Sequence, residues 1–219
     1  MVIILYVMDS LRPDFLSCYG HRRETSPNID SLAQDGVVFL NAFAQSTWTR
    51  ASAASILTSL YPSVHGVLTL QDHFNSELDT LQGHLHSRGF ETLAFTTMKN
   101  ISPYFGYHQG FEEFVEVYEN QEVRKKRTLR IEVTNIPIST SEDINQCLLP
   151  FLERKADNNV FLFVWSLDTH DPYFHRDPGL AMFSKPSEEI LWADRVVNMH
   201  GEGEILRLQG LYEDMIRHN

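Results

Sequence analysis

The 219-residue chain has only two cysteines, Cys18 and Cys147, and they do not form a Cys-x-x-Cys pair. This spacing indicates neither a disulfide framework nor a thiolate zinc site, and it favours a reducing, cytoplasmic compartment. Basic residues are also few, because 18 Lys and Arg stand against 29 Asp and Glu, for a formal net charge of -11. Nucleic acids and anionic membranes attract positive proteins, so we expect neither as a partner and expect a small molecule or a metal cation instead.

Long apolar runs are absent as well. The hydrophobic run from Val2 to Met8 is too short to span a bilayer, and it has neither a basic segment before it nor a small-residue cleavage site after it. We therefore expect no signal peptide and no membrane segment in this chain. With 42% hydrophobic residues, the composition favours a single packed domain over residues 1–219.

Short apolar runs rich in β-branched residues predict the strands. Val2 to Met8 and Val160 to Ser166 are typical of strands covered on both faces, and further strands are predicted over 37–43 and 91–96. Helical patterns separate these strands. Because parallel strands need crossover connections, the alternation predicts an α/β fold with a mostly parallel sheet sandwiched by helices.

The helical patterns and the remaining segments complete this prediction. Helices are expected over 28–35, 52–60, 78–87 and 141–153, with Gly36, Gly66 and Gly89 as left-handed caps after three of the helices. The charged stretch 119–134 indicates an exposed connection or a charged helix face, with a phosphate-binding patch as the alternative. Residues 175–203 show little periodicity and are interpreted as a long loop that covers a site.

Polar side chains follow the predicted strands, where the carboxyl ends of parallel strands form a ligand crevice. Asp9 comes directly after the first strand, and Asp168 and His170 come after the strand that ends at Ser166. The carboxylate of Asp9 suits a divalent cation such as zinc, calcium, magnesium or manganese, and a helix N-cap is the alternative. The His170 ring could donate to a substrate oxygen, protonate a leaving group or bind a metal.

Thr49 and Arg50 stand just ahead of the helix predicted to begin near residue 52. Thr49 alone is most simply an N-cap, and its hydroxyl becomes a nucleophile only with a cation or a base beside it. Arg50 could contribute positive charge to a bound anion, or its side chain could point away.

Several motifs occur in a characteristic order. They are Asp9-Ser10-Leu11-Arg12 leading to Cys18-Tyr19-Gly20, Ser26-Pro27-Asn28-Ile29-Asp30, Ser55-Ile56-Leu57-Thr58-Ser59-Leu60-Tyr61-Pro62 followed by His65-Gly66, Gly106-Tyr107-His108-Gln109-Gly110-Phe111, and Asp168-Thr169-His170-Asp171-Pro172-Tyr173. Together they resemble the N-terminal part of the sulfatase family, within the alkaline phosphatase superfamily. The resemblance implies an alkaline-phosphatase-like fold. It also implies a hydrolase or transferase that acts on small anionic phosphate or sulfate esters and uses a divalent metal (Zn, Mn, Ca or Mg).

The register of the resemblance places Thr49 at the nucleophile position, as a catalytic residue and metal ligand. It implies Asp9 as a further metal ligand, His170 as a catalytic residue, and Arg50 and Asp168 in substrate binding. In typical members of the family, the nucleophile is a Cys or Ser that is oxidised to formylglycine, and an Arg follows it four residues later. This chain has Thr49 at the first of these positions and Ala53 at the second. A secondary alcohol cannot give that aldehyde, so we expect no formylglycine and favour phospho-esters. The Thr branch resembles phosphoethanolamine transferases and phosphoesterases.

The family continues into a strand that ends in Ser-Asp-His-Gly, whereas this chain stops at Asn219. We therefore expect one sulfatase-like catalytic domain that is incomplete at its C-terminal end, inactive as it stands, and able to associate through the truncated sheet edge. The alternative is a non-catalytic truncated domain that binds an anion or a partner chain.

Overall fold

The computed structural model describes residues 1–121, 123, 139–154, 158–171, 173, 181–184 and 202–217. The chain divides into two compact units. The first comprises Met1–Val7 and Phe43–Leu167, and the second comprises Met8–Ala42 and Asp168–Asn219. No helix among the described residues combines the length and the apolar composition needed to cross a membrane.

The first unit is built on a four-stranded sheet with the spatial order β1-β4-β2-β3, whose strands are β1 (Val2–Met8), β2 (Glu91–Thr96), β3 (Glu113–Glu116) and β4 (Val160–Ser166). β2 runs parallel to both of its neighbours, with Ala94 opposite Phe114 on one side and Phe163 on the other. The predicted α/β class with a mostly parallel sheet is therefore confirmed, as are the bounds of β1, β2 and β4.

The two long apolar strands are covered to different extents. Every residue of β4 is buried, as expected for a central strand with apolar side chains on both faces. β1 is the end strand of the described sheet, and only its inward row packs against the core. Val2, Ile4 and Tyr6 on its other face are 46%, 54% and 40% exposed, so the prediction that β1 is covered on both faces is wrong.

The α-helices of the described residues are α1 (Pro27–Asp35), α2 (Thr49–Thr58), α3 (Pro62–His65), α4 (Leu81–His86), α5 (Ser141–Arg154) and α6 (Glu202–Arg217). Helices α2 to α5 belong to the first unit, and α1 and α6 belong to the second.

A hydrophobic core covers each face of the sheet in the first unit. On one face Ala53, Ala54 and Leu57 of α2 pack with Ala94, Phe161 and Phe163. On the other face Ile144, Leu148 and Phe151 of α5 pack with Leu93, Leu162 and Val164. Helices therefore sandwich the sheet, as the sequence predicts.

Six of the eight predicted helix boundaries differ from the structure, by one to three residues. α2 begins at Thr49, three residues early, and α4 begins only at Leu81, because the Thr80 hydroxyl caps it by accepting from the amide of Gly83 at 3.1 Å. Gly66 and Gly89 have positive φ, as expected, but Gly36 has φ of -119° and is extended. Ser59, with φ of 60°, closes α2, while Gly66 closes α3.

Residues 37–43 do not form the predicted strand. Val37, Phe39, Leu40 and Phe43 are 70–80% exposed, and no strand of the described residues pairs with them. A high β-propensity describes side chains that fit a pleated, half-buried surface, and it does not supply the neighbouring strand.

The second unit has its own small core around α6. Leu16, Tyr212 and Ile216 are buried together, and the Tyr212 ring meets Phe15 edge-on at 5.0 Å. The fully buried Glu213 carboxylate contacts His21 Nε2 at 3.0 Å and accepts from Arg23 Nη1. These contacts fix α6 within the second unit.

Most of 119–134 and 175–203, for which a charged connection and a long covering loop are predicted, lies outside the described residues.

Candidate active site

Thr49 is the first residue of α2, so the prediction that it is the N-cap is wrong. Trp48 is the N-cap through its backbone alone, because its side chain makes no capping bond. The Ser52 amide donates to the Trp48 carbonyl at 3.1 Å and closes the first turn. Since a helix N-terminus carries about half a positive charge, an oxyanion at the half-buried Thr49 hydroxyl would be stabilised there.

Arg50 follows Thr49, and its side chain is 1% exposed. Its Nη1 donates to the carbonyl of Asp72 at 3.0 Å, and its Nη2 donates to the carbonyl of Leu70. The guanidinium carbon lies 3.8 Å from the ring centroid of Phe105 and 4.9 Å from that of Trp48. Of the two orientations that the sequence leaves open, these contacts favour the one in which the side chain points away from an anion.

Asp9 lies in the turn after β1. Hydrogen bonds to the backbone carbonyls of Asp9 and Ser10 hold this turn. The Thr169 hydroxyl donates to the Asp9 carbonyl at 2.7 Å, and the Tyr212 hydroxyl donates to the Ser10 carbonyl at 2.7 Å. Burial raises the pKa of Tyr212 to about 12, so this donor stays protonated.

The alternative that Asp9 caps a helix is wrong. The next helical turn, the 3-10 helix Pro13–Phe15, has Arg12 as its N-cap and no side-chain capping bond. The carboxylate of Asp9 accepts from the Ser10 hydroxyl at 3.2 Å.

Asp168 and His170 follow β4. Asp168 is 3% exposed, whereas His170 is half-buried. The Nδ1 atom of His170 contacts the Asp171 carbonyl oxygen at 2.8 Å and its carboxylate at 3.0 Å. Both partners accept hydrogen bonds, so the network assigns the proton to Nδ1, and Nε2 of the neutral ring can accept a proton. This arrangement suits a group that takes and returns a proton.

The structure brings some of these residues together within one unit. The bond between Thr169 and the Asp9 carbonyl joins the turn after β1 to the segment that holds Asp168 and His170, all in the second unit. Thr49 and Arg50 belong to the first unit.

Comparison with known proteins identifies the family. A sequence model of the family named Sulfatase matches residues 2–199. The chain belongs to the sulfatase family. It is 28% identical over 161 residues to iduronate 2-sulfatase of Mus musculus, a match that covers 64% of this chain and 29% of that protein. The chain thus spans about a third of the length of this sulfatase.

Solved structures show the same fold. The phosphonate monoester hydrolase of Agrobacterium radiobacter matches with a TM-score of 0.68 and 18% identity, over 98% of this chain and 56% of that one. The C-terminal periplasmic domain of EcEptC from Escherichia coli, in complex with Zn, matches with a TM-score of 0.65 and 18% identity, over 99% and 55%. The predicted alkaline-phosphatase-like fold of this sulfatase-family chain is confirmed.

A buried Ser-His pair in one of the sulfatase-like motifs is not singled out by the sequence. His65 is 3% exposed, and its Nε2 lies 3.0 Å from the Ser55 hydroxyl oxygen. The Val67 amide donates to Nδ1 at 3.1 Å, so the neutral ring carries its proton on Nε2. Nε2 therefore cannot take a proton from Ser55, and the pair holds α2 to α3 without being a nucleophile and its base.

The carboxylate of Asp9 suits a divalent cation, since it is a hard oxygen ligand. The described residues nevertheless contain no group of three or more His, Cys, Asp or Glu side chains that could hold a metal ion. The donors in this part of the chain therefore do not fit a complete divalent-metal site.

Proposed function

We propose that this chain is the nucleophile-bearing part of an enzyme that hydrolyses or transfers small anionic esters, with Thr49 as the nucleophile. One observation carries the proposal: Thr49 is the first residue of α2, where the helix N-terminus stabilises negative charge, and the family motif starting at Ser55 follows in the same helix. A curated relative is a sulfatase and one solved structure of similar fold is a phosphonate monoester hydrolase, which supports sulfate or phosphorus esters as the proposed substrate class.

Phospho-esters are the proposed preferred substrates. Thr49 is a secondary alcohol and cannot be oxidised to formylglycine, whereas a threonine oxygen can attack phosphorus directly. We assign His170 to proton transfer at the substrate oxygens or the leaving group, through the Nε2 atom that its Asp171 contacts leave as the acceptor. Asp168 remains a proposed substrate-binding residue, whereas the contacts of Arg50 with the Leu70 and Asp72 carbonyls favour an indirect role for Arg50.

A divalent cation, Zn²⁺, Mn²⁺, Ca²⁺ or Mg²⁺, is the proposed cofactor, and the carboxylate of Asp9 is its proposed ligand in the second unit. When bound, such an ion would supply positive charge to an ester oxygen and would lower the pKa of a hydroxyl that binds it. One carboxylate is fewer than the ligands of a tightly held ion, since zinc sites use about three or four and calcium sites about six to eight. The purified chain should therefore show little turnover, even with added metal.

The test compares p-nitrophenyl phosphate with p-nitrophenyl sulfate, with each of the four metals added to the purified chain. Any turnover should be larger on the phosphate ester and should be lost in Thr49→Ala. Thr47→Ala is the matched control, because Thr47 is an exposed threonine two residues away and should keep the rate. Rapid sulfate-ester turnover, or turnover that survives Thr49→Ala, would contradict the proposal.

A non-catalytic domain that binds an anion or a partner chain is the second candidate. It is favoured by the lack of three clustered metal-ligating side chains among the described residues. Inorganic phosphate binding measured by calorimetry, without turnover of either ester, would support it over the enzyme.

The exposed β1 residues Val2, Ile4 and Tyr6 also favour association at the end strand of the sheet, which light scattering at increasing protein concentration would detect.

A further inference from the structure

Arg50 is a charged residue at a buried position, where an apolar side chain would carry no cost of burying a charge. Its side chain is 1% exposed, and among the described residues no carboxylate forms an ion pair with it. Its Nε atom is also buried and has no hydrogen-bond partner among the residues that the structure describes. Burying a charge is costly unless hydrogen bonds compensate, so the contacts that Arg50 does make need an explanation.

Those contacts connect the start of α2 to one loop. The two Nη atoms of Arg50 donate to the carbonyl oxygens of Leu70 and Asp72. The loop has a fixed shape of its own, because the amides of Leu68 and Thr69 donate to the Asp72 carboxylate at 2.8 and 2.5 Å. These bonds hold the pKa of Asp72 below its usual value, and the Arg50 charge lowers it further.

The backbone of Arg50 is also held by a hydrogen bond. The buried Tyr107 hydroxyl donates to the Arg50 carbonyl at 2.5 Å, and burial raises the pKa of Tyr107, so this donor keeps its proton. The Tyr107 ring stacks on Phe74 at 5.0 Å, and the Phe74 amide donates to the Phe105 carbonyl at 2.8 Å. Hydrogen bonds therefore hold both the backbone and the side chain of Arg50, and the segments that make these bonds are in contact with each other.

We infer that Arg50 is a positioning residue that fixes the first turn of α2 and so presents the Thr49 hydroxyl. This inference rests on the proposed nucleophilic role of Thr49, which is directly bonded to residue 50 in the chain. Trp48, the N-cap, has no side-chain capping bond, so the helix start lacks the local signal that usually fixes it. The contacts of Arg50 with the 70–72 loop and the hydrogen bond from Tyr107 supply that constraint instead, all within the first unit.

The test measures amide hydrogen exchange in the full chain, with Arg50→Met, Arg50→Lys and Tyr107→Phe compared with the unmodified protein. Met fills the space without donors, whereas Lys keeps donors for the two carbonyls. Exchange at Ser52, whose amide closes the first turn, should rise in Arg50→Met relative to the β2 amides. The expected rise is about tenfold or more, because the substitution removes two charge-assisted hydrogen bonds and the loss of one would account for about tenfold. Arg50→Lys should reverse part of this rise, and Tyr107→Phe, which removes one hydroxyl, should cause a smaller one.

Arg88→Met is the matched control, because Arg88 is exposed and its guanidinium donates to a carbonyl within its own helix region. It should leave Ser52 exchange unchanged. Unchanged exchange in Arg50→Met, an equal rise in β2, or no rescue by lysine would overturn the inference. If Arg50→Met does not fold, Tyr107→Phe decides by the same comparison.

Ester turnover separates this inference from the proposed function. With measurable turnover, Arg50→Met should lower kcat and leave KM nearly unchanged, since it misplaces the attacking oxygen and removes no substrate contact. Turnover that persists in Thr49→Ala would refute the nucleophile while the exchange result on α2 stands. Turnover lost in Thr49→Ala but undiminished in Arg50→Met would refute the positioning role alone.

Discussion

Acidification should destabilise this protein through His65. The ring is 3% exposed, and burial lowers its pKa below the usual value of about 6.5. Protonation would also place a second N–H against the Val67 amide, which now donates to Nδ1. The unfolded chain takes up a proton as the pH falls through about 6.5, and the folded chain takes it up only at a lower pH, so the free energy of unfolding falls.

The size of the effect follows from this linkage. At pH 5.5 a ring that stays neutral in the folded state contributes a loss of up to about 1.4 kcal/mol, and at pH 5.0 up to about 2 kcal/mol. Urea unfolding at pH 7.5, 6.5 and 5.5 measures the dependence. The other histidines add a background slope, which His65→Gln retains, so the difference between the two proteins isolates His65.

His84→Gln provides the control for this measurement, because His84 is exposed on α4. It should leave the pH dependence of the unfolding free energy as it is in the unmodified protein. If His65→Gln and the unmodified protein lose the same free energy between pH 7.5 and 5.5, the burial argument is wrong.

Two further predictions concern stability. Leu162→Ala should cost about 2–5 kcal/mol in urea unfolding, since Leu162 is fully buried in β4, while Leu32→Ala, at a side chain 75% exposed, should cost little; similar midpoints for both would contradict the assigned core. Glu213→Gln should cost about 1–3 kcal/mol and speed amide exchange in α6, because it removes the buried charge that His21 and Arg23 contact, and unchanged exchange in α6 would refute that role.

Three of the four strands were predictable to the residue, whereas β3 was not predicted. β4 has the same bounds in the sequence pattern and in the structure, because seven consecutive buried side chains give a continuous apolar run. Residues 37–43 show a similar composition but remain exposed. The difference is the pairing partner, which depends on distant residues and leaves no trace in the local sequence.

The positions of three candidate site residues at strand ends were predictable, but their contacts were not. Asp9, Asp168 and His170 follow strands that the pattern locates correctly, so their places at strand ends could be read in advance. The bond between Thr169 and the Asp9 carbonyl joins residues 160 positions apart, and no periodicity indicates it. The tautomer of His65 likewise depends on the Val67 amide, which only the folded turn brings to Nδ1.

The start of α2 shows what a motif match leaves undecided. The resemblance of the motifs to the sulfatase family predicts Thr49 as the nucleophile, but a motif does not say where the helix begins. That boundary depends on Arg50 and on Tyr107, whose hydroxyl reaches the Arg50 carbonyl across 57 positions of sequence. A relative could therefore keep the threonine and lose its presentation by substitution at position 50 or 107. For proteins of this family, the contacts that hold the first turn should be assessed together with the nucleophile itself before activity is inferred.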